Sequence, residues 1–193
     1  NGSEGGPGYE TSDSSAGTNQ KQVSDAAKAA ADAIAKPEIS SEAGILYDVT
    51  NGRVLFEKNA DDKLAPASTT KLMTALLVLE KAKLDDKVTF SKTAVTDLEA
   101  GAVKIGLVEG DQVAVKDCLY ALLLKSANEV ANGLAEHVSG SISGFSELMN
   151  ARARELGCTN THFVNTTGLH DENHYSTARD MAKLLQYCLN NNT

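Results

Sequence analysis

An apolar run at residues 72–79 constrains the fold of this 193-residue chain more than any other feature. Its sequence, Leu-Met-Thr-Ala-Leu-Leu-Val-Leu, is apolar at almost every position and leaves no polar face for solvent. The flanking residues predict a helix from Ser68 to about Lys83. Because a helix that is apolar nearly all round must be covered by other elements, we expect this one to lie in the middle of a globular domain.

Two runs of β-favouring residues, 43–49 and 53–57, precede this helix and predict an antiparallel hairpin. They are joined by Thr50-Asn51-Gly52, in which Asn-Gly favours the left-handed backbone of a type I′ turn. Three shorter segments are also predicted as strands: 88–90, 103–107 and 113–115. Four helices are predicted to follow, the third of them capped by Gly157: 116–124, 128–138, 142–156 and 177–189. A hairpin followed by a helical block indicates an α+β fold with an antiparallel sheet.

The predicted sheet is incomplete. A two-stranded hairpin is marginally stable alone, and no further strand is predicted after the helical block. We therefore expect the missing C-terminal strands to come from the rest of a longer protein or from another chain. Residues 41–193 are expected to form a domain that is truncated at its C-terminal side.

Residues 1–40 differ in composition from the rest of the chain. They hold five of the 15 glycines and two of the three prolines, with few large apolar side chains. Such a segment buries too little apolar surface to offset the entropy of ordering it. We expect a disordered segment or a tether between an export or anchor segment and the domain, and a ragged terminus is an equal alternative.

Charge and hydropathy disfavour two classes of protein. Eighteen basic against 26 acidic residues give a formal net charge of −8, which disfavours a nucleic-acid binder that must neutralise phosphates. No apolar run approaches the roughly 18–20 residues of a membrane span, so any membrane anchoring has to lie outside this chain.

Metal and thiol chemistry is also disfavoured. The cysteines are odd in number and have no close ligand spacing, which predicts buried or half-buried thiols: Cys118, Cys158 and Cys188. His170 and His174 are four residues apart, but Asp171 stands where a zinc protease helix needs Glu, so we expect no metal site. Arg179 and Asp180 are expected to form a local ion pair at a helix start.

Ser68 and Lys71 are the candidate nucleophile and base. Three residues apart in the first turn of a helix, they share one face, about 60° apart and roughly 4.5 Å along the axis. The helix N-terminus favours negative charge on the serine oxygen, and a lysine shielded from water has a lowered pKa, so its neutral amine can accept the serine proton. The same spacing also suits a capping Ser68 beside a Lys71 whose amine reaches solvent.

A second polar triplet, Ser126-Ala127-Asn128, interrupts an apolar run at residues 119–124 and precedes another helix. In isolation it is most simply an N-cap that satisfies free backbone N–H groups. The functional alternative makes Ser126 a proton relay and Asn128 an amide that holds a substrate.

Together, Ser68-Thr69-Thr70-Lys71 and Ser126-Ala127-Asn128 resemble the Ser-x-x-Lys and Ser-x-Asn motifs of the penicillin-binding D-alanyl-D-alanine carboxypeptidases. Six surrounding segments are similar to this family as well: 66–74, 107–111, 122–128, 160–163, 167–170 and 175–182. The resemblance covers about residues 42–190. It implies a β-lactamase/transpeptidase-like fold, a helical block with an antiparallel sheet.

The resemblance also implies a role for each motif residue. Ser68 would attack the carbonyl between two D-alanines and form an acyl-enzyme, with Lys71 as general base. The backbone N–H of Ser68 would form half of an oxyanion hole. Ser126 would pass a proton to the leaving amine, and Asn128 would hold the peptide side of the substrate. The implied partners are peptidoglycan stem peptides ending in D-Ala-D-Ala and β-lactam antibiotics, with no cofactor. The implied location is extracytoplasmic, secreted or membrane-tethered, because that substrate lies outside the cytoplasmic membrane.

The sequence departs from the family's pattern in one important respect. The third family motif, Lys-Thr-Gly, does not occur in these 193 residues, and Ala127 stands where the family commonly has Gly. In the family, Lys-Thr-Gly binds the substrate carboxylate and its strand supplies the second oxyanion N–H. We therefore expect this chain to be the N-terminal part of the enzyme and to be inactive, or nearly so, alone.

Two alternatives remain open at this point. A serine β-lactamase shares the first two motifs but uses a glutamate, usually in a Glu-x-x-Leu-Asn loop, to activate the deacylating water. No such loop follows Asn128, and Glu172 lies in a different setting. The other alternative is a non-catalytic module that uses the same fold only to bind penicillin or the cell wall.

Overall fold

The computed structural model describes residues 36–190, and within that range four short strands accompany six α-helices. The strands are β1 (Gly44–Asp48), β2 (Arg53–Lys58), β3 (Lys87–Thr89) and β4 (Gln112–Ala114). The helices are α1 (Lys71–Lys81), α2 (Lys92–Thr96), α3 (Val115–Lys125), α4 (Asn128–Ser139), α5 (Ile142–Glu155) and α6 (Ala178–Asn190). The prediction of a tether at residues 1–40 lies almost wholly outside the described residues.

The hairpin of β1 and β2 is antiparallel as predicted, with a bulge between Leu46 and Tyr47. The type I′ turn is wrong, because that turn needs a positive φ at both central residues and only Gly52 of the loop has one, +67°. Asp48 instead closes a longer loop. Its carboxylate accepts from the backbone N–H and Nδ2 of Asn51, and its carbonyl accepts from the Gly52 N–H.

A second antiparallel pair joins β3 to β4, so each sheet of the described part has two strands. The predicted α+β class with an incomplete sheet is confirmed. The strand predicted over residues 103–107 is wrong, because this stretch has no regular secondary structure. Its backbone is bound by residues at the start of α4: Asn128 donates to the Val103 carbonyl, and Glu129 accepts from Ile105 and Gly106.

Helix α1 is buried in the centre of the domain, as predicted. Residues 73–78 are each at most 5% exposed, and the helix packs against α3, α4, α5 and α6. The four later helices match their predicted bounds to within one residue, whereas α2 is not predicted by the sequence analysis. Because α1 is covered by four helices, the turn at its N-terminus has a rigid base.

An irregular segment between α5 and α6 runs past the N-terminus of α1. Isolated bridges pair Leu64 with Ser176 and His162 with Tyr175. The Asn150 side chain on α5 also makes two hydrogen bonds to the backbone of Phe163. These bonds fix a segment that has no helix or strand of its own.

The local ion pair predicted between Arg179 and Asp180 is wrong. Arg179 instead donates to Asp61 at 2.7 Å and to Glu57 at 2.6 Å, while the buried Asp180 accepts from the Asn160 N–H. Neighbouring side chains on a helix diverge by about 100°, so positions i and i+1 do not face each other. The two residues therefore bind different parts of the chain.

Within residues 36–190, no helix combines the length and hydropathy that crossing a bilayer requires.

Candidate active site

Ser68 lies in a short 3-10 turn, Ala67–Thr70, that leads into α1. Ala67 has a φ of +47°, a left-handed conformation that a residue with a Cβ rarely adopts. Gly168 lies so close that a Cβ on it would overlap the Ala67 carbonyl oxygen. The N-cap of α1 is Thr70, without a side-chain cap bond, so the capping role considered for Ser68 is not observed. Strain of this kind is often found at functional sites.

Lys71 is the first residue of α1 and is only 2% exposed. Its Nζ donates to three oxygens: Ser68 Oγ at 3.3 Å, Asn128 Oδ1 at 2.8 Å and the Thr167 carbonyl at 2.7 Å. The alternative in which the amine reaches solvent is therefore wrong. Burial lowers the pKa of Lys71 from 10.5 to about 8, because desolvation penalises the ammonium form.

The protonation state of Lys71 decides what this geometry can do. As an ammonium it has three N–H groups, one for each of its three acceptors. A neutral amine keeps two, which can remain on the closer oxygens of Asn128 and Thr167. The lone pair then points toward Ser68 Oγ, as a base requires.

Ser126 and Asn128 converge on the same point from the junction of α3 and α4. Ser126 ends α3 with a φ of +55°, and its Oγ donates to Ser68 Oγ at 3.0 Å. Asn128 is 5% exposed, and its Nδ2 donates to the Val103 carbonyl while its Oδ1 faces Lys71. Neither residue caps α4, whose N-cap is Ala127 without a side-chain bond. The structure thus brings all four predicted site residues together.

The Thr167 carbonyl is a part of the site that the sequence analysis missed. It belongs to a tight loop in which Asn165 Oδ1 accepts from the N–H groups of Thr167 and Gly168. Thr74 on α1 donates to the neighbouring Thr166 carbonyl at 2.8 Å. A backbone acceptor leaves no mark on residue identity, so the similarity of residues 167–170 to the family drew attention to this loop without indicating the carbonyl.

His174 supports the turn from the other side. It is 3% exposed, and its Nδ1 accepts from the Val164 N–H at 3.1 Å, so the neutral ring carries its proton on Nε2. That Nε2 lies 2.8 Å from Thr70 Oγ1 in the turn Ala67–Thr70, which we call the nucleophile turn after the predicted role of Ser68. Burial lowers the pKa of His174 to about 4 and keeps the ring neutral. His170 is exposed, and residues 36–190 contain no group of three or more side chains suited to a metal ion.

A groove of about 370 Å³ opens beside the predicted nucleophile. It is lined by Ser68, Thr69, Lys71, Leu72, Leu122, Leu123 and Ser126. A larger cavity of about 500 Å³ lies between residues 96–99 and 164–171 but touches none of the four predicted site residues. The hydroxyl groups of Ser68 and Ser126 are therefore accessible from a groove whose lining is mostly apolar.

None of the three cysteines lines this groove. Cys118 and Cys158 are buried and Cys188 is half-buried, all with free thiols. Burial raises the pKa of Cys118 to about 12 and that of Cys158 to about 11, so neither is an activated nucleophile.

The fold and the site define a penicillin-binding, transpeptidase-like domain. The solved structure of penicillin binding protein 5 from Haemophilus influenzae is similar to it, with a TM-score of 0.76 and 33% identity over 81% of this chain and 47% of that one. The profile of the D-alanyl-D-alanine carboxypeptidase family matches residues 29–193. This chain therefore belongs to the D-alanyl-D-alanine carboxypeptidase family, a family of serine-peptidase hydrolases.

Two relatives give the extent of the match. The chain is 42% identical over 161 residues to D-alanyl-D-alanine carboxypeptidase DacF of Bacillus subtilis. The aligned region covers 78% of this chain and 41% of the relative. The chain is 43% identical over 164 residues to DacC of Escherichia coli, with 81% and 41% covered. The chain thus spans about four tenths of the length of the curated relatives that it matches.

Proposed function

We propose that this chain carries the nucleophile side of the active site of a serine-type D-Ala-D-Ala carboxypeptidase. Its substrate is the peptidoglycan stem peptide, from which it removes the terminal D-alanine through an acyl-enzyme. The observation that carries this proposal is the contact of the buried Lys71 Nζ with Ser68 Oγ at 3.3 Å. A serine beside a desolvated amine is an activated nucleophile that needs no histidine.

The reaction uses each of the four residues. Ser68 Oγ attacks the carbonyl carbon between the two D-alanines while the neutral Lys71 amine takes its proton, and the Ser68 N–H stabilises the oxyanion. The C–N bond then breaks, and the leaving amine of D-alanine receives a proton through Ser126. Asn128 holds the peptide side of the substrate. Water finally hydrolyses the ester, which releases the shortened peptide and restores the Ser68 hydroxyl.

The same site accounts for β-lactams and for location. The strained amide of a β-lactam resembles the D-Ala-D-Ala terminus, so it acylates Ser68 and leaves a slowly hydrolysed adduct. Because peptidoglycan lies outside the cytoplasmic membrane, the protein acts in the cell envelope, secreted or tethered. Residues 1–40 have a composition that suits the tether.

A labelled penicillin tests the proposal. We expect a covalent adduct on Ser68, located by mass, that is absent from Ser68→Ala and unchanged in Ser143→Ala, an exposed serine outside the groove. The test uses a version of the protein that extends through Lys-Thr-Gly. Failure to form an adduct overturns the proposal. Rapid β-lactam turnover would identify a lactamase, and an adduct without any release of D-alanine from peptide would identify a binding module.

The chain as it stands is expected to release D-alanine poorly, because these 193 residues contain no Lys-Thr-Gly for the substrate carboxylate. Release of D-alanine from a stem pentapeptide, compared between this chain and the extended version, measures the difference. Equal turnover would show that Lys-Thr-Gly is dispensable here.

A further inference from the structure

Glu129 is a fully buried carboxylate to which the proposed mechanism gives no role. It is 0% exposed and follows Asn128 directly in α4. Its Oε1 accepts from the backbone N–H groups of Ile105 at 2.7 Å and Gly106 at 2.9 Å, while its Oε2 has no partner among the described residues. Burying a carboxylate costs free energy unless hydrogen bonds compensate for the lost hydration. The two bonds from Ile105 and Gly106 therefore stabilise the buried side chain.

The segment that Glu129 binds, residues 103–106, is exposed and has no strand pairing. The side chains of Val103 and Ile105 are 54% and 47% exposed. Among the described residues, the hydrogen bonds of its backbone lead instead to the first two residues of α4. Asn128 donates to the Val103 carbonyl twice, from its backbone N–H at 2.9 Å and from its Nδ2 at 3.1 Å. Glu129 and Asn128 therefore hold opposite ends of one short segment.

The Val103 carbonyl determines which way the Asn128 carboxamide faces. With Nδ2 on the Val103 carbonyl, Oδ1 points at Lys71 Nζ at 2.8 Å. A flipped carboxamide would set its NH₂ donors against the N–H groups of Lys71, which is unfavourable. The position of the Val103 carbonyl thus decides whether Asn128 Oδ1 can accept a hydrogen bond from Lys71.

We propose that Glu129 is a positioning residue of the Ser68–Lys71 site: by binding two consecutive N–H groups it fixes the Val103 carbonyl, which orients Asn128 toward Lys71. The proposal rests on the proposed function of Ser68 and Lys71. It assigns the effect to hydrogen-bond acceptance by Glu129 Oε1. The negative charge of the side chain is not required.

Three substitutions distinguish an effect of hydrogen-bond acceptance by Glu129 from an effect of its negative charge. Glu129→Gln keeps a carbonyl oxygen for both N–H groups and changes only the oxygen that has no partner. Glu129→Ala removes the acceptor. Gly106→Ala leaves Glu129 intact but disturbs the segment, because Gly106 has a φ of +92°, which strains any residue with a Cβ, in otherwise open space.

The experiment measures the rate at which labelled penicillin acylates Ser68 in the version extended through Lys-Thr-Gly, between about pH 6 and 9. We expect Glu129→Ala and Gly106→Ala to be slower by about 10-fold or more, with the midpoint of the pH profile moved to lower pH. The midpoint moves because the Lys71 ammonium has lost a fixed acceptor. Glu129→Gln is expected to remain close to wild type in both rate and midpoint.

Leu134→Ala is the matched control, since Leu134 is equally buried further along α4 and its apolar side chain offers the segment no hydrogen-bond acceptor. It should destabilise the fold and leave the rate and midpoint unchanged below its unfolding temperature. If the unmodified protein is acylated and Glu129→Ala or Gly106→Ala matches it in rate and midpoint, the proposal is overturned. A Glu129→Gln variant as slow as Glu129→Ala overturns it as well, in favour of charge. Absence of acylation in the unmodified protein contradicts the proposed function instead.

Discussion

The backbone carbonyl of Thr167 accepts a hydrogen bond of 2.7 Å from Lys71 Nζ, although the two residues are 96 positions apart. A carbonyl can only accept, so this contact always uses one N–H of the amine. Asn128 Oδ1 uses a second N–H at 2.8 Å. The remaining direction on the nitrogen points to Ser68, and it holds a proton or a lone pair according to pH.

Acylation of Ser68 is therefore expected to rise with pH, with a midpoint near the Lys71 pKa of about 8. In the proposed mechanism the neutral amine is the reactive base, and lowering the lysine pKa from 10.5 makes this form about 300-fold more abundant at neutral pH than in an ordinary lysine. The measurement is the rate of adduct formation with a labelled penicillin across the midpoint. Lys71→Arg, which stays charged, should be slower by about 10³-fold and show no such midpoint. A flat profile for the unmodified protein would contradict the assignment of Lys71 as base.

Ser126 is expected to act through its hydroxyl group alone. Its Oγ donates to Ser68 Oγ at 3.0 Å, and loss of a proton relay typically slows a reaction by about 10²-fold or more. Release of D-alanine from a stem pentapeptide by Ser126→Ala in the extended version measures this loss.

Ser126→Gly provides the control for backbone effects. Because Ser126 has a φ of +55°, glycine fits this position with less strain and should give a protein about 1 kcal/mol more stable than Ser126→Ala. Both variants should be equally slow. If the glycine variant recovers activity, the role of Ser126 is conformational and the relay is wrong.

Gly168→Ala is expected to damage both stability and acylation. The added Cβ would overlap the Ala67 carbonyl and lie 2.9 Å from Thr70 Oγ1, so the nucleophile turn has to move. We expect a loss of about 2 kcal/mol or more in the free energy of unfolding, measured by urea denaturation, and strongly reduced acylation.

Gly140→Ala is the matched variant, with a similar φ of +78° and no atom within 4 Å of the added Cβ. It should lose only about 1 kcal/mol from backbone strain and retain the acylation rate. Equal loss of acylation in both variants would show that the close approach of Gly168 to Ala67 has no special role.

Local patterns predicted the central helix and the first pair of site residues. The apolar run at 72–79 requires a covered helix, and Ser68 and Lys71 share a face because they lie three residues apart in one turn. Ser126 and Asn128, in contrast, join them across 58 and 57 positions, respectively. Spacing along the chain says nothing about such contacts, so only the family motifs predicted them together.

Two of the wrong predictions, the strand over residues 103–107 and the type I′ turn, share a physical cause, which is that backbone groups found side-chain partners. Residues 103–107 have the alternating apolar pattern of a strand, yet Asn128 and Glu129 bind their backbone in place of a neighbouring strand. The hairpin loop closes on the Asp48 carboxylate in a similar way. The Thr167 carbonyl could not be predicted at all, because every residue type carries one.

The buried His174 should make the fold less stable at low pH. Its folded-state pKa of about 4 lies below the ordinary value of 6.5, because burial opposes the charged form of the ring. Protonation would also set an Nδ1 proton against the Val164 N–H. Between these values the unfolded chain binds a proton that the folded chain does not, so the stabilisation is complete above pH 6.5 and is lost as pH falls toward 4. The loss amounts to about 2 kcal/mol at about pH 5.

Urea denaturation of the unmodified protein and of His174→Gln, at about pH 7 and about pH 5, checks this expectation. Glutamine does not titrate, so carboxylates and other groups contribute equally to both proteins. The stability difference between the two should therefore shrink by about 2 kcal/mol at the lower pH. The same stability difference at both pH values would mean that His174 binds its proton as readily in the folded state as in the unfolded one. The bond from Val164 to Nδ1 would then not hold the ring neutral beside the nucleophile turn.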